Sequence, residues 1–372
     1  MKKSMILASA ATGFLVLAGA AALSAAGQED DPAIYAQPVS GVSEAALARE
    51  VDTLFDDDTH AETRALVIMR GGELVYERYA PGYDRDTRFI SWSMAKSVTS
   101  VLVGLMVSDG RLALDSPAPV PEWQQPGDPR GAITLRQLLH MASGLDHTEA
   151  GSPPYESDEV RMLFLDGRDD MAGYAKSRQL EAEPGSKFEY STNTSVILAD
   201  IVARQLTSSN DPEIRRRAMT QFMQGRLFEP LGLSSMTPEF DASGTMIGGS
   251  IIQANARDWA RFGEFLRNRG SVDGNQIVPR SWFDFMLAPS PTDPAYAGHI
   301  WLNRPRPEGR NPVLFPGNGP ASIFACLGHL GQYVIVSPEQ RLVVVRLGKT
   351  QDDVLAPVTE QLGRIVALFP RG

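Results

Sequence analysis

Ser91-Trp92-Ser93-Met94-Ala95-Lys96-Ser97-Val98-Thr99-Ser100-Val101-Leu102-Val103-Gly104-Leu105-Met106-Val107 is the stretch on which the reading of this chain turns. It is apolar on most faces, which predicts a buried helix, ended by Asp109-Gly110. Ser93 and Lys96 lie three apart at its start and so share one face. A serine hydroxyl needs a base to become a nucleophile. A lysine serves as that base only if burial lowers its pKa from the reference of about 10.4. A serine near a helix N-terminus also presents its own N–H to a developing oxyanion. The plainer reading is a helix cap with a snorkelling lysine. At average composition a Ser-x-x-Lys spacing arises by chance about once in a chain this long. Here, however, there are only six lysines, and the only such spacing falls inside the most apolar helix. Lysine is almost never buried without a partner.

Outward from this helix the pattern is mixed. Ala65 to Met69 and Leu74 to Tyr76 flank Gly71-Gly72, which reads as a β-hairpin. Residues 115–131 are rich in Pro and Gly and read as loop. Thr134 is placed to cap a short helix, Leu135 to Met141. Helical patterns follow near 158–177, 194–206 and 212–228, and Asn255 is placed to cap Ala256–Asn268. Tyr333 to Val336 and Leu342 to Val345 flank Ser337-Pro338-Glu339-Gln340 as a second hairpin, and a C-terminal helix is expected near 355–368. Strands lie at both ends and helices dominate the middle. The expectation is therefore an α+β fold. Its antiparallel sheet is built from residues 33–110 and 245–372, and its mostly helical second region spans 111–244.

The chain has 372 residues, enough for a large core, and acidic residues outnumber basic ones by 45 to 35. The pI near 5.1 argues against a nucleic-acid binder working through a broad basic face. Lys2-Lys3, the apolar run Met5 to Leu23 and the small residues Ser24-Ala25-Ala26 read as a signal peptide spanning 1–26. That implies export to the periplasm or the medium, with an uncleaved membrane anchor as the rival. Cys326 is the single cysteine, so no internal disulfide forms; it reads as a buried small residue. The five histidines show no metal-ligand spacing, and neither a metal nor a cofactor is expected. Gly-x-Ser-x-Gly, His-Glu-x-x-His and P-loop motifs are absent.

Two further motifs can carry chemistry. Tyr190-Ser191-Thr192 stands just before a helix. A tyrosine there can reach a cleft, and beside a lysine cation its phenol could ionise and shuttle protons. Packing on the core is the plain alternative for any single tyrosine. Gly328-His329-Leu330-Gly331-Gln332 precedes an apolar strand. Its glycines allow close backbone approach, and an edge strand there would offer the Gln332 N–H as an oxyanion donor. The plain alternative is a bulge or turn.

Taken in order, these three motifs resemble the serine β-lactamase-like superfamily, which includes class C β-lactamases, DD-peptidases, esterases and 6-aminohexanoate-dimer hydrolases. Val75-Tyr76-Glu77-Arg78-Tyr79, Ile133 to Leu139, Ser143-Gly144-Leu145, Pro230-Leu231-Gly232-Leu233, Asp241 to Thr245 and Ala256 to Phe262 are similar too. The likeness covers about residues 45–370. It implies a β-lactamase/transpeptidase-like fold, Ser93 as the acylated nucleophile, Lys96 as base, and Tyr190 as proton shuttle. The resemblance leaves open whether Lys96 or Tyr190 takes the first proton. It puts the backbone N–H groups of Ser93 and Gln332 in the oxyanion hole, and Thr192, His329 and Gly331 at the substrate.

The sequence departs from the β-lactamase pattern twice. Thr192 stands where β-lactamases carry Asn, and His329 replaces the lysine whose fixed charge holds a substrate carboxylate. Both departures favour the esterase and amidase branch. Ser143-Gly144-Leu145, Asp241 to Thr245 and Gly328 to Gln332 look most like 6-aminohexanoate-dimer hydrolases. The sequence therefore points to an exported serine hydrolase acting on a small ester or linear amide. A class C-like β-lactamase or DD-peptidase is the first alternative, and a silent ligand-binding module on the same fold is the second.

Overall fold

The structure, a computed structural model, describes residues 34–56, 58 and 62–372. The expected signal peptide lies outside these residues. A seven-stranded sheet forms the backbone of the fold. In spatial order its strands are Ile34–Ala36, Glu73–Tyr79, Glu62–Arg70, Leu342–Lys349, Gln332–Ser337, Phe324–Gly328 and Trp301–Leu302. Every neighbouring pair is antiparallel. Both hairpins foreseen from the sequence are present, each extended by a few residues.

The central strands carry apolar runs, Ala65 to Met69, Tyr333 to Val336 and Leu342 to Val345, because both faces of the sheet are covered. Successive side chains point to opposite faces. Leu66, Ile68, Ile335 and Val344 meet the helices Glu44–Leu54 and Leu355–Ala367 on one side. Val67, Val334, Val343 and Val345 meet the main core on the other. There the helix Ala256–Arg267 lies so close that a Cβ on Gly263 would stand 2.6 Å from a Val343 methyl.

Beyond that helix lies the Ser91–Val107 stretch. It opens as a 3-10 turn, Trp92–Met94, and becomes an α-helix over Ala95–Ser108. All residues from Ala95 to Met106 are buried. Its hydroxyls are satisfied by carbonyls of neighbouring segments: Ser97 on His299, Thr99 on Gly248 and Ser100 on Gly298, at 2.7–2.9 Å. Gly104 faces Trp282 on the helix Arg280–Met286. A Cβ there would sit 2.5 Å from the indole nitrogen. Gly104→Ala is therefore expected to lower stability by about 1–3 kcal/mol, despite alanine's better helix propensity. A denaturation midpoint unchanged or raised would mean that the indole yields at no cost.

The region 111–244 is mostly helical. Its longest helix, Thr192–Leu206, packs on the helix Ala95–Ser108. Asp200 on that helix binds Lys176, Arg204 and Arg215 at 2.6–2.8 Å, tying three segments together around one buried carboxylate. Both N-caps read from the sequence are present. Thr134 caps Leu135–Leu139 reciprocally with Gln137, and Asn255 caps Ala256–Arg267. Two helices come out differently. The span expected at 158–177 is two short helices, Asp158–Phe164 and Met171–Lys176. At the break a Cβ on Gly167 would strike the Tyr174 ring at 2.7 Å, and Asp170 restarts the helix as a cap. The span expected at 212–228 is α-helical only over Pro212–Met223 and widens to a π-turn at Gln224–Phe228. A small sheet of Phe89–Ile90, Ile252–Ala254 and Thr237–Pro238 ends immediately before Ser91 and anchors the turn that carries Ser93.

Candidate active site

The local path of the chain displays Ser93. Ser91 N–H donates to Ile252 O at 2.9 Å, and the Ser91 hydroxyl accepts from Ile252 N–H at 3.0 Å. Trp92 then adopts φ 45°, a left-handed conformation costly for a bulky residue. The turn throws Ser93 to the mouth of a cleft of about 640 Å³ while Lys96, one turn on, stays inside the protein.

Lys96 is 2% exposed. Its ammonium nitrogen lies 2.8 Å from Ser93 Oγ, 2.8 Å from Thr192 Oγ1 and 2.8 Å from Gly249 O. Burial pushes its pKa down, while the carboxylates of Glu149 and Glu159 oppose this in part. Glu149 Oε1 stands 3.8 Å from the Lys96 nitrogen. The structure brings Thr192 to Lys96 across 96 residues of chain; expected at the substrate, Thr192 is instead fully buried, holds the lysine and does not line the cleft.

Tyr190 closes the other side. Lys96 lies 4.7 Å from the centre of its ring, and its hydroxyl lies against Ser93 and the Trp301 indole. Tyr296 and Trp301 pack on the ring at centroid distances of 5.7 and 5.4 Å. The sequence reading had this phenol ionise beside the lysine. The direction is the opposite: desolvation by the Tyr296 and Trp301 rings around it pushes the Tyr190 pKa well above its ordinary value, and the Glu149 charge adds to the rise. The phenol is held protonated.

The third motif is divided by the structure. It forms the turn of the hairpin Phe324–Gly328 to Gln332–Ser337. Gly328 and His329 line the cleft with Leu327. A Cβ on Gly328 would meet Ser91 O at 2.3 Å, so glycine is what lets the strand end approach the turn that carries Ser93. The His329 ring stands edge-on to Trp92, with centroids 5.3 Å apart, and half exposed. Gly331 and Gln332 instead build the turn. The Gln332 amide donates to His329 O, Leu330 O and Gly348 O at 2.7–3.1 Å, and Arg346 donates to Gly331 O at 2.8 Å. Neither lines the cleft.

Two acidic residues were missed by the sequence reading. Glu149 accepts from Thr192 N–H at 2.6 Å and from the Thr192 hydroxyl at 2.7 Å. Glu159 follows Asp158, whose carboxylate takes the N–H and hydroxyl of Thr148 and so draws the loop and the helix together. Burial, with Glu149 nearby, pushes Glu159 up to about 7. The available signal was slight: two glutamates in a loop-rich stretch that already carried Ser143-Gly144-Leu145.

Cys326 and His299 are both held away from the cleft. Cys326 is 1% exposed, and burial pushes its thiol up to about 12. His299 contacts Ser195 at 2.9 Å, but both are buried and the imidazole is pushed down to about 3.

With this geometry in place, comparison with known proteins is decisive at the level of family. Residues 48–367 match the beta-lactamase family. The chain belongs to the beta-lactamase family. A 6-aminohexanoate-dimer hydrolase of Paenarthrobacter ureafaciens is 26% identical over 336 residues, 87% of this chain and 81% of that protein. Among solved structures, a penicillin-binding protein homologue from Caulobacter crescentus superposes with a TM-score of 0.62 at 18% identity. The match covers 90% of this chain and 98% of that one. A family VIII carboxylesterase superposes with a TM-score of 0.61 at 16% identity, over 89% and 99%. The fold is thus the β-lactamase/transpeptidase type, and this beta-lactamase-family chain is a serine hydrolase of that superfamily.

Proposed function

We propose that the chain is an exported hydrolase that cleaves a small carboxylic ester or linear amide through an acyl-enzyme on Ser93. The observation that carries the reading is the buried Lys96 amine 2.8 Å from the Ser93 hydroxyl. A lysine with a lowered pKa takes the Ser93 proton as the oxygen attacks the carbonyl carbon. The N–H of Ser93 and, in this reading, that of His329 rather than of Gln332, stabilise the oxyanion, because His329 lines the cleft and Gln332 does not. The protonated Tyr190 gives its proton to the departing alcohol or amine and regains one from the Lys96 ammonium. Water then cleaves the acyl ester by the same groups in reverse.

The lining of the cleft supports the substrate class. It carries the acids Glu149, Glu159 and Asp352 and neither lysine nor arginine. A β-lactam or a C-terminal peptide carboxylate would meet no fixed positive charge there. Trp92, Phe164, Trp301, Val313 and Leu327 offer apolar surface instead. The relatives named for a linear amide dimer and a carboxylic ester point the same way. The N-terminal segment ending in Ser24-Ala25-Ala26 supports export. Among the described residues no helix is long and apolar enough to cross a membrane.

A charge-assisted contact is worth ~1.5–3 kcal/mol, so nitrocefin is expected to be turned over about ten- to a hundredfold less efficiently than a short-chain p-nitrophenyl ester. Steady-state kcat/KM for the two on one preparation decides. Faster nitrocefin hydrolysis would overturn the ester/amide reading in favour of a β-lactamase.

A further inference from the structure

Thr192 has one hydroxyl proton, and its direction decides what the Lys96 nitrogen can do. A lysine nitrogen has four tetrahedral directions. One runs to its own chain; the other three point at Ser93 Oγ, Thr192 Oγ1 and Gly249 O. Gly249 O can only accept. Thr192 sends its proton to Glu149 Oε1, so toward Lys96 it too can only accept. The second Glu149 oxygen takes the Thr192 N–H, which stops the carboxylate from turning away. A neutral Lys96 must therefore spend both its N–H bonds on Thr192 and Gly249. Its lone pair has one direction left, toward the Ser93 hydroxyl.

We propose that Glu149 is a positioning residue for the general base: by taking the Thr192 hydroxyl proton, it aims the Lys96 lone pair at Ser93. The assignment rests on the Ser93–Lys96 reading above. It gives Glu149 a task at Lys96 that is exerted through Thr192. It also explains why a threonine, with one proton to direct, serves at position 192.

Glu149→Gln is the discriminating change. The Thr192 N–H can only donate, so it claims the amide oxygen. The amide NH2 then faces Thr192 Oγ1 and donates to it. The hydroxyl proton is turned toward Lys96 and competes with Ser93 for the lone pair. Charge matters as well. The groups facing Lys96 are Glu149 from its loop, Glu159 from the helix Asp158–Phe164, Tyr190 from the strand-like approach to Thr192, and His299 from the 298–299 segment. The 249 segment contributes only a carbonyl. Removing the Glu149 charge lets the Lys96 pKa fall further.

The test is the second-order rate of phosphonylation by a fluorophosphonate, followed by intact mass from pH 5 to 10, which needs no knowledge of the natural substrate. Glu149→Gln is expected to lower the alkaline plateau by about 10- to 100-fold, a part of the ~10²–10⁴-fold that a general base contributes, and to move the acid limb to lower pH. Thr192→Val is expected to show a similar loss, and Thr192→Ser to recover most of it. Wild-type labelling at Ser93 with an unchanged rate and limb in Glu149→Gln would overturn the proposal while leaving the nucleophile intact. Failure of the wild type to label would remove the Ser93–Lys96 reading and this proposal with it. Should Glu149→Gln not fold, the Thr192 pair decides: equal rates in Val and Ser would overturn it.

Discussion

Ser93→Ala is expected to abolish ester turnover, by at least ~10³-fold, with a thermal midpoint close to that of the wild type. The activity loss follows from removing the hydroxyl that lines the cleft and is hydrogen-bonded to the Lys96 amine. The small effect on stability follows from position. Ser93 is half-buried at the cleft mouth, and the turn that carries it is held by Ser91 and Ile252, not by its own side chain. Removing the hydroxyl leaves a small gap that water fills. Retained turnover in a folded Ser93→Ala chain would sink the acyl-enzyme mechanism outright.

Lys96→Ala is expected to cost nearly as much activity, because members of such a unit act together and their effects do not add. Here stability changes too, in a way that distinguishes the residue from Ser93. The amine is the donor for Thr192 Oγ1 and Gly249 O, both inside the protein. Its loss leaves these acceptors unsatisfied at ~1–3 kcal/mol for such a group, partly offset by relief of a buried charge. The pH profile gives a second reading. Burial lowers the Lys96 pKa, so the free base forms at lower pH than for a lysine in water. Wild-type rates should fall as the pH drops through that lowered pKa, and the residual rate of Lys96→Ala should lack the limb. The same limb in both proteins would assign it to Glu159, whose carboxyl titrates near 7.

What the sequence disclosed depended on distance along the chain. Ser93 and Lys96 were legible because a helix converts a spacing of three into one shared face. Thr192 and Tyr190 were legible only through their motif, since nothing local says that residue 192 will meet residue 96. Glu149 left no readable mark. A glutamate in a loop looks like any solvated acid until the fold brings Thr192 to it. The Tyr190 phenol was read with the wrong sign because the sequence shows the lysine cation but not the depth of burial, and burial dominates.

Gln332 illustrates a different limit. The turn type of a hairpin decides which of its residues faces outward, and here His329, three positions before Gln332, is the one that lines the cleft. Gly328 was the better guide, since only glycine tolerates Ser91 O at that distance. The sheet was read well where both strands of a hairpin are long and apolar. The two-residue edge strand Trp301–Leu302 carried no period to read. The break near Gly167 did carry a mark: Asp166-Gly167-Arg168-Asp169-Asp170 interrupts the apolar spacing between Leu165 and Met171.

The central claim is that Ser93 is the residue that becomes acylated. Incubating the wild-type chain with a fluorophosphonate, weighing it intact and mapping the modified peptide tests this most directly. The account predicts one adduct per chain, on the peptide containing Ser93, with formation that slows as the pH falls. An adduct elsewhere, or none on a folded chain, would contradict it.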